Sequence, residues 1–393
     1  MLLVHKIELK PNNKQATYFA KACGVARFAY NWALGEWQKS YQNKEQANDV
    51  LLRRKLNAIK KEQFPWMQEV TKVAPQQAIK NLGKAFSRFF RKQGKYPRFK
   101  KKGVHDSFRA DNGPSEAGQD AVLIQSNKIK LPRIGFVRLK EVLRFSGQIM
   151  SVTILRQATK WYAAISVETN KLPHERKNHG SVGVDLGIKA LATLSNGVKV
   201  VGPKAHKKLL MKLRRLSKQL SRKVKRSNNY GKAKIKLAAL HAKISNIRKD
   251  ALHKLTTELV LNYITIGIED LHVKGLAANR KLARHIMDQS FYEFRRQLEY
   301  KARWYKSAII VASRFFPSSK QCCICGAVNN NLTLHDRDWT CDCCGTYHDR
   351  DLNAAMNLKN IAAFATKNTA SSAEIYASRV EGSGVIGDAV PIA

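Results

Sequence analysis

Acids are scarce in this chain. Its 393 residues carry 71 Lys and Arg against 29 Asp and Glu, a formal net charge of +42. An excess of that size repels itself unless a polyanion neutralises it, and it far exceeds the roughly 2 to 8 units that keep a small domain soluble. A large or structured nucleic acid is the expected partner. Long apolar runs are also missing. No segment reaches the ~18 consecutive apolar residues of a membrane span, and the opening MLLVHKIELK alternates like a strand and supplies no signal-peptide core. A soluble, cytoplasmic protein without a membrane partner is expected. Cysteine is nearly absent outside one window: six of the seven lie between Cys322 and Cys344. A secreted disulfide framework would spread them, so the clustering implies metal in a reducing compartment. The seventh, Cys23, sits on an apolar helical face and reads as a core filler.

What is present is enough for several cores. The chain is 44% hydrophobic and too long for one ordinary domain, so two or more are the default. Residues 2–9 read as a strand. From Lys14, Phe19, Cys23, Ala26, Tyr30, Ala33 and Trp37 recur at helical steps, and helical sequence continues to about Phe90. The stretch FRKQGKYPRFKKKGVHDSFR (90–109) then interleaves basic residues with rings. Tyr96, Arg98, Phe99, Lys100, Lys101, Lys102, Phe108 and Arg109 are its candidate nucleic-acid contacts, with phosphates gripped by cations and bases or sugars laid against rings. Composition alone leaves a solvated basic loop equally open. Residues 120–170 carry β-branched runs with period-two alternation, which predict a small antiparallel barrel or sheet. Residues 171–180 read as a linker.

Beyond it, SVGVDLGIKALATLSNG reads as strand, turn, strand, with Asp185 closing the first apolar run. Between Lys204 and Lys249 there are 17 Lys or Arg and no acid. Leu209, Leu213, Leu216, Leu220 and Val224 share one helical face, as do Leu237, Leu240, Ile244 and Ile247 after a break at SNNYG. The pattern predicts a two-helix hairpin with one apolar seam and a basic exterior. A solvated helix would usually mix charge signs, so Arg214, Arg215, Arg222 and Lys223 are candidate phosphate contacts. Residues 258–268 read as a buried strand ending at Glu269 and Asp270. An amphipathic helix, a strand at Ala308–Ala312, the cysteine cluster and a final helix follow.

Cys322-Cys-Ile-Cys325 and Cys341-Asp-Cys-Cys344 are two CxxC knuckles, each followed by glycine. Two such knuckles suit tetrahedral Zn2+ in a structural site. Cys323 and Cys343 leave the register open; the outer pairs keep CxxCG twice and are preferred. Asp185, Glu269, Asp349 and Asp351 are the candidate catalytic acids. Carboxylates from strand ends and a helix start in one α/β unit can converge, and such clusters suit Mg2+. Two such ions activate a water and stabilise the leaving oxygen at a phosphodiester. Singly, Asp185 reads as well as a turn residue and Asp351 as a helix cap.

GVDLGIKALATLSNG, IGIEDL, SSKQCCICG and LTLHDRDWTCDCCGTYHDRDLNAAMNL, with YPRFKKKG and DSFR upstream, resemble the TnpB (OrfB-type) family of transposon-encoded RNA-guided DNA endonucleases, relatives of type V CRISPR effectors. The motifs stand in the family's order, and the resemblance is strongest from Gly183 to Leu358. It implies a multidomain α+β fold: a barrel-like wedge domain (1–10 and 103–175), a helical recognition lobe (11–102), an RNase H-like RuvC nuclease domain (181–316 and 347–366), a zinc ribbon (317–346) and a flexible tail (367–393). It implies Asp185, Glu269 and Asp351 as catalytic acids holding two Mg2+ ions, and Cys322, Cys325, Cys341 and Cys344 as zinc ligands. Asp349 is the fallback for the third acid, with His348 and Arg350 as neighbours able to touch nucleic acid. The implied partners are a guide RNA from the transposon end and double-stranded target DNA, with one chain acting on one RNA. A non-cleaving transposition regulator and a strand-transferring transposase are the alternatives.

Overall fold

The computed structural model describes residues 1–113, 121–172, 174–333 and 335–368. The sequence expectation of a tail from 367 lies almost wholly outside them. The chain divides after residue 173 into two compact units, within the stretch that reads as a linker. Among the described residues, no helix is long and apolar enough to cross a membrane.

The first unit opens with strand β1 (Leu2–Lys10), whose alternate residues Leu3, His5, Ile7 and Leu9 point into the core. Helix α1 (Asn13–Gln42) starts at a capping box: the Gln15 amide donates to Asn12 Oδ1 at 2.9 Å, and the Asn12 amide donates to Gln15 Oε1 at 3.1 Å. Helices α2 (Asp49–Gln63) and α3 (Val73–Phe90) complete the helical part, joined by a tight turn at Pro65–Glu69. Strands β2 (Ser107–Asp111), β3 (Leu123–Gln125), β4 (Lys128–Leu131), β5 (Gly135–Leu139), β6 (Gln148–Gln157) and β7 (Lys160–Glu168) join β1 in one sheet, in the order β2-β6-β7-β1-β5-β4-β3. Every pairing is antiparallel. The first strand is central: Leu3 pairs with Val167 and Ile7 with Ala163. One core joins sheet and helices and includes Phe19, Leu34, Leu82, Ile154 and Ile165. Cys23 is buried in it, and burial pushes its thiol up to about 12, so it is the core filler that its position implies.

The second unit contains strands β8 (Ser181–Asp185), β9 (Ala192–Leu194) and β10 (Lys199–Val200), helices α4 (Ala205–Ser221) and α5 (Asn228–Asn262), and strand β11 (Thr265–Glu269). Helices α6 (Val273–Ala278), α7 (Ala283–Gln289) and α8 (Phe291–Tyr305) lead to strand β12 (Ala308–Ala312). A hairpin of β13 (Asp338–Thr340) and β14 (Tyr347–Asp349) runs directly into helix α9 (Arg350–Asn368). The main sheet has the order β10-β9-β8-β11-β12, with β8, β11 and β12 parallel and the β9–β10 hairpin antiparallel at one edge.

The expected strand over 258–268 is too long. Leu252, Leu255 and Leu259 recur at helical spacing and are buried, so the helix persists to Asn262 and only the β-branched end forms β11. The basic hairpin matches expectation over most of its length: Ala205, Leu240 and Ile244 are buried against Leu209, Leu213, Leu216 and Ile247. Val224 does not belong to that seam; it lies past the end of α4 and is exposed.

Helix α9 lies against β8 and β11 because two paired residues there lack side chains. Gly183 and Gly267 are register partners on adjacent strands. A Cβ on Gly183 would come within 1.9 Å of the Ala355 carbonyl oxygen, and one on Gly267 within 2.2 Å of the Leu358 carbonyl oxygen. The helix backbone occupies the space that side chains would fill.

Candidate active site and metal centre

Side chains alternate across a strand, so Asp185 lies on the same sheet face as Gly183, and Glu269 on the same face as Gly267. That is the face α9 covers. Val184 pairs with Ile268, which makes Asp185 and Glu269 the next residues of two adjacent parallel strands. Asp351 stands in the first turn of α9, four residues before Ala355 and about 6 Å along the axis from it. The glycine seat thus brings Asp351 toward the two strand-end acids. Burial, then the charges of Glu269 and Asp351, raise the Asp185 pKa well above the usual carboxylate range. A cation would relieve this repulsion.

Asp349 has a different position. It is the N-cap of α9: its Oδ1 accepts the Leu352 amide at 2.9 Å, and its Oδ2 lies 2.5 Å from Lys199 Nζ. Partial burial opposes its ionisation, but the Lys199 ammonium and the Leu352 amide outweigh that and hold its pKa below the ordinary value. Asp351 has a looser neighbour, Arg337, at 3.8 Å.

The four thiols of Cys322, Cys325, Cys341 and Cys344 converge, with all sulfur atoms within 4.8 Å of one another. Among the described residues they form the one group of three or more potential ligands drawn so close. Cys322–Cys344 and Cys325–Cys341 are each 3.6 Å apart, near the roughly 3.8 Å edge of a thiolate tetrahedron with Zn–S bonds of about 2.3 Å. The knuckles are built alike. The Gly326 amide donates to the Cys322 carbonyl and the Gly345 amide to the Cys341 carbonyl, with φ of +81° and +70° at the two glycines. Hydrogen bonding from Thr346 brings the Cys344 thiol down to about 6, while Cys325, against the lowering hydrogen bond of the Ala327 amide, is pushed up to about 12 by desolvation and the neighbouring thiols. Cys323 and Cys343 stand outside the cluster.

Several expected contacts are corrected. Phe108 is not on a nucleic-acid surface: β2 turns it inward, where it is buried against Tyr18 and Phe19. The same alternation turns Arg109 outward, where it pairs with Asp111 at 2.6 Å. Lys100 is exposed as a residue, with its ammonium 4.2 Å from the centre of the Tyr30 ring. Arg98, Phe99, Lys101 and Lys102 are exposed; Tyr96 is partly so, its ring edge-on to Phe86 and Phe89. On the hairpin, Arg214, Arg215, Arg222 and Lys223 are all exposed. His348 faces inward, with Nε2 3.1 Å from Cys322 Sγ and its ring against Trp339. Arg350 reaches back to the Thr333 carbonyl at 2.8 Å.

Sequence reasoning gave no role to Gly183, Gly267, Lys199, Ser318, Asn353 or Asn357. The asparagines had a signal: two amides four residues apart interrupt the otherwise apolar LNAAMNL.

Most of the chain has counterparts among known proteins. A family model described as "Probable transposase" (OrfB of IS605) matches residues 164–280. A Cas12f1-like TNB domain matches 291–358, and a helix-turn-helix domain of the same OrfB group matches 1–46. In this chain those last residues form β1 and the long α1. A Streptomyces pristinaespiralis protein with the provisional name RNA-guided DNA endonuclease is 37% identical over 90% of this chain and 87% of its own length. The chain belongs to the TnpB family. Escherichia coli K12 InsQ, which carries the same provisional name, is 33% identical over 91% of each chain. The fold of this TnpB relative also resembles a Cas12f1 chain solved with single-guide RNA and target DNA. The TM-score is 0.58 at 15% identity, covering 89% of this chain and 83% of that one.

Proposed function

We propose that this protein is a transposon-encoded, RNA-guided DNA endonuclease that cleaves target DNA beside a short flanking motif. The carrying observation is the arrangement of Asp185, Glu269 and Asp351: two neighbouring strand ends and the start of the helix seated on those strands. The donors are carboxylates alone, a set that suits Mg2+. When bound there, two Mg2+ ions supply an activated water and charge stabilisation at the leaving oxygen of a phosphodiester. Asp185 is the acid that most needs them, because its charged form is desolvated and faces two like charges. Lys199 engages Asp349 and leaves Asp351 as the helix-start acid facing the cluster.

In this reading the sheet with its helices, over 181–316 and 347–366, is a RuvC-type, RNase H-like nuclease domain, and residues 317–346 are a zinc ribbon. Strand β8, central in its sheet and paired parallel with β11 and antiparallel with β9, supports the former; the paired knuckles support the latter. The N-terminal unit supplies a wedge (1–10 and 103–175) and a helical recognition lobe (11–102). Sequence specificity comes from base pairing with a guide RNA, while the protein reads backbone shape and a short motif. The exposed basic residues of the 98–109 loop and the α4–α5 hairpin are the proposed backbone contacts. One chain acts on one RNA, in the bacterial cytoplasm.

Coexpression with the transposon end, recovery of the copurifying RNA and a plasmid assay with the matching target test this directly. RNA-dependent cutting is expected from the wild type and loss of cutting from Asp185→Ala; full cutting by that variant refutes the assignment. The "Probable transposase" description keeps strand transfer as a second reading, and joined DNA products in the same assay would favour it.

A further inference from the structure

The segment between β12 and the first zinc knuckle does more than connect them. The buried Ser318 hydroxyl donates to Glu269 Oε1. Ser318 is itself held by helix α9. Asn357 Nδ2 donates to the Ser318 carbonyl at 2.8 Å and to the Gln321 carbonyl at 2.6 Å. Asn353 Nδ2 donates to the Gln321 carbonyl at 2.7 Å, and its Oδ1 accepts the Cys323 amide at 2.9 Å. Both asparagines are buried, and their i, i+4 spacing puts them on one face of the helix that carries Asp351. A carboxamide is the group that fits: it offers two N–H donors to carbonyls and an oxygen to an amide N–H, and it does so without charge.

We propose that Ser318 is a positioning residue for the Glu269 carboxylate, and that Asn353 and Asn357 set Ser318 and the first zinc knuckle against the helix that delivers Asp351. One network then ties two acids from different elements to the ribbon. With one Glu269 oxygen engaged by the Ser318 hydroxyl, the carboxylate is oriented before a cation arrives, so less ordering is left for binding. Groups that orient a metal ligand in this way typically change affinity by about 10- to 100-fold when removed. The inference rests on the reading of Glu269 as a metal ligand, and its failure is separable from failure of that reading.

The test compares full-length protein–RNA complexes of wild type, Ser318→Ala, Ser318→Thr, Asn357→Asp and Asp185→Ala. Three quantities are measured: Mn2+ binding by electron paramagnetic resonance titration, the Mg2+ concentration for half-maximal cutting, and zinc content. Ser318→Ala is expected to weaken Mn2+ binding and raise the Mg2+ requirement by about tenfold or more, with zinc content and melting temperature unchanged. Ser318→Thr, which keeps the hydroxyl, restores both. Asn357→Asp, which sets a negative oxygen against two carbonyls, shifts them in the same direction as Ser318→Ala. Wild-type Mn2+ affinity and Mg2+ requirement in Ser318→Ala overturn the proposal, as does a loss that tracks loss of zinc or of folding. Full cutting by Asp185→Ala would instead overturn the nuclease reading on which it stands.

Discussion

Asp349 and Asp351 are two residues apart, yet their chemistry differs because a helix begins between them. Asp349 is the last residue of β14 and caps α9; Asp351 is already inside the first turn. Replacing Asp349 by Asn keeps a capping oxygen and loses the Lys199 ion pair, so about 1 kcal/mol of stability or less should be lost, and cutting should persist. Asp351→Asn should abolish cutting while leaving the melting temperature near wild type. Equal loss of cutting in both variants would contradict this division. A second residue-scale prediction concerns Lys301. Its ammonium is buried and donates to the His253 carbonyl, Thr256 Oγ1 and Thr257 Oγ1 at 2.7 to 2.8 Å, with no carboxylate among those three partners. Burial pushes its pKa from 10.5 down to about 7. Below about pH 7 both folded and unfolded chains carry the proton, and the cost of burying charge is fully present. Above it the folded chain releases the proton first, so the unfolded chain binds more protons and stability rises with pH. The gain from pH 7 to pH 9 should be about 2 kcal/mol. Urea unfolding at the two values should show this in wild type and not in Lys301→Met.

The decisive element is α9. Its burial against the sheet depends on Gly183 and Gly267 as much as on its own apolar residues. Gly183→Ala drives a methyl group into a backbone carbonyl, which a rotamer change cannot relieve. The helix must lift, and Asp351 moves with it. We expect a loss of about 3 kcal/mol or more, together with loss of cutting even where the protein remains folded. A Gly183→Ala protein with wild-type unfolding and activity would show that α9 is not seated as described. The elements differ in how readable they were. The strands at 181–185 and 308–312 and the basic hairpin follow from periodicity. The β11 start was misplaced because Leu259, Val260 and Leu261 form a short apolar run that a helix and a buried strand share. Phe108 was misread because ring and cation interleave alike in a nucleic-acid loop and in a strand with one buried face.

Across the whole molecule, charge dominates. A formal +42 on 393 residues implies a complex that tightens by releasing counterions, so affinity for the guide RNA should fall steeply and linearly on a log–log plot against salt. Replacing Arg214, Arg215, Arg222 and Lys223 together by Ala should make that slope shallower by about 3. An unchanged slope would remove the hairpin from the interface.

Residue order alone determined the partner class, the two CxxC knuckles and the family. Those signals are local or compositional: charge adds up whatever the fold, and a CxxC turn brings its own two thiols together. Tertiary structure decided what depends on distant segments meeting. It paired residue 183 with 267, seated a helix from residues 350–368 on both, and so placed Asp349 at the helix cap and Asp351 in the first helical turn. It also turned Phe108 inward and brought Ser318 to Glu269. These choices follow from which backbone occupies the space a missing side chain leaves, and no window of sequence contains both sides of that contact.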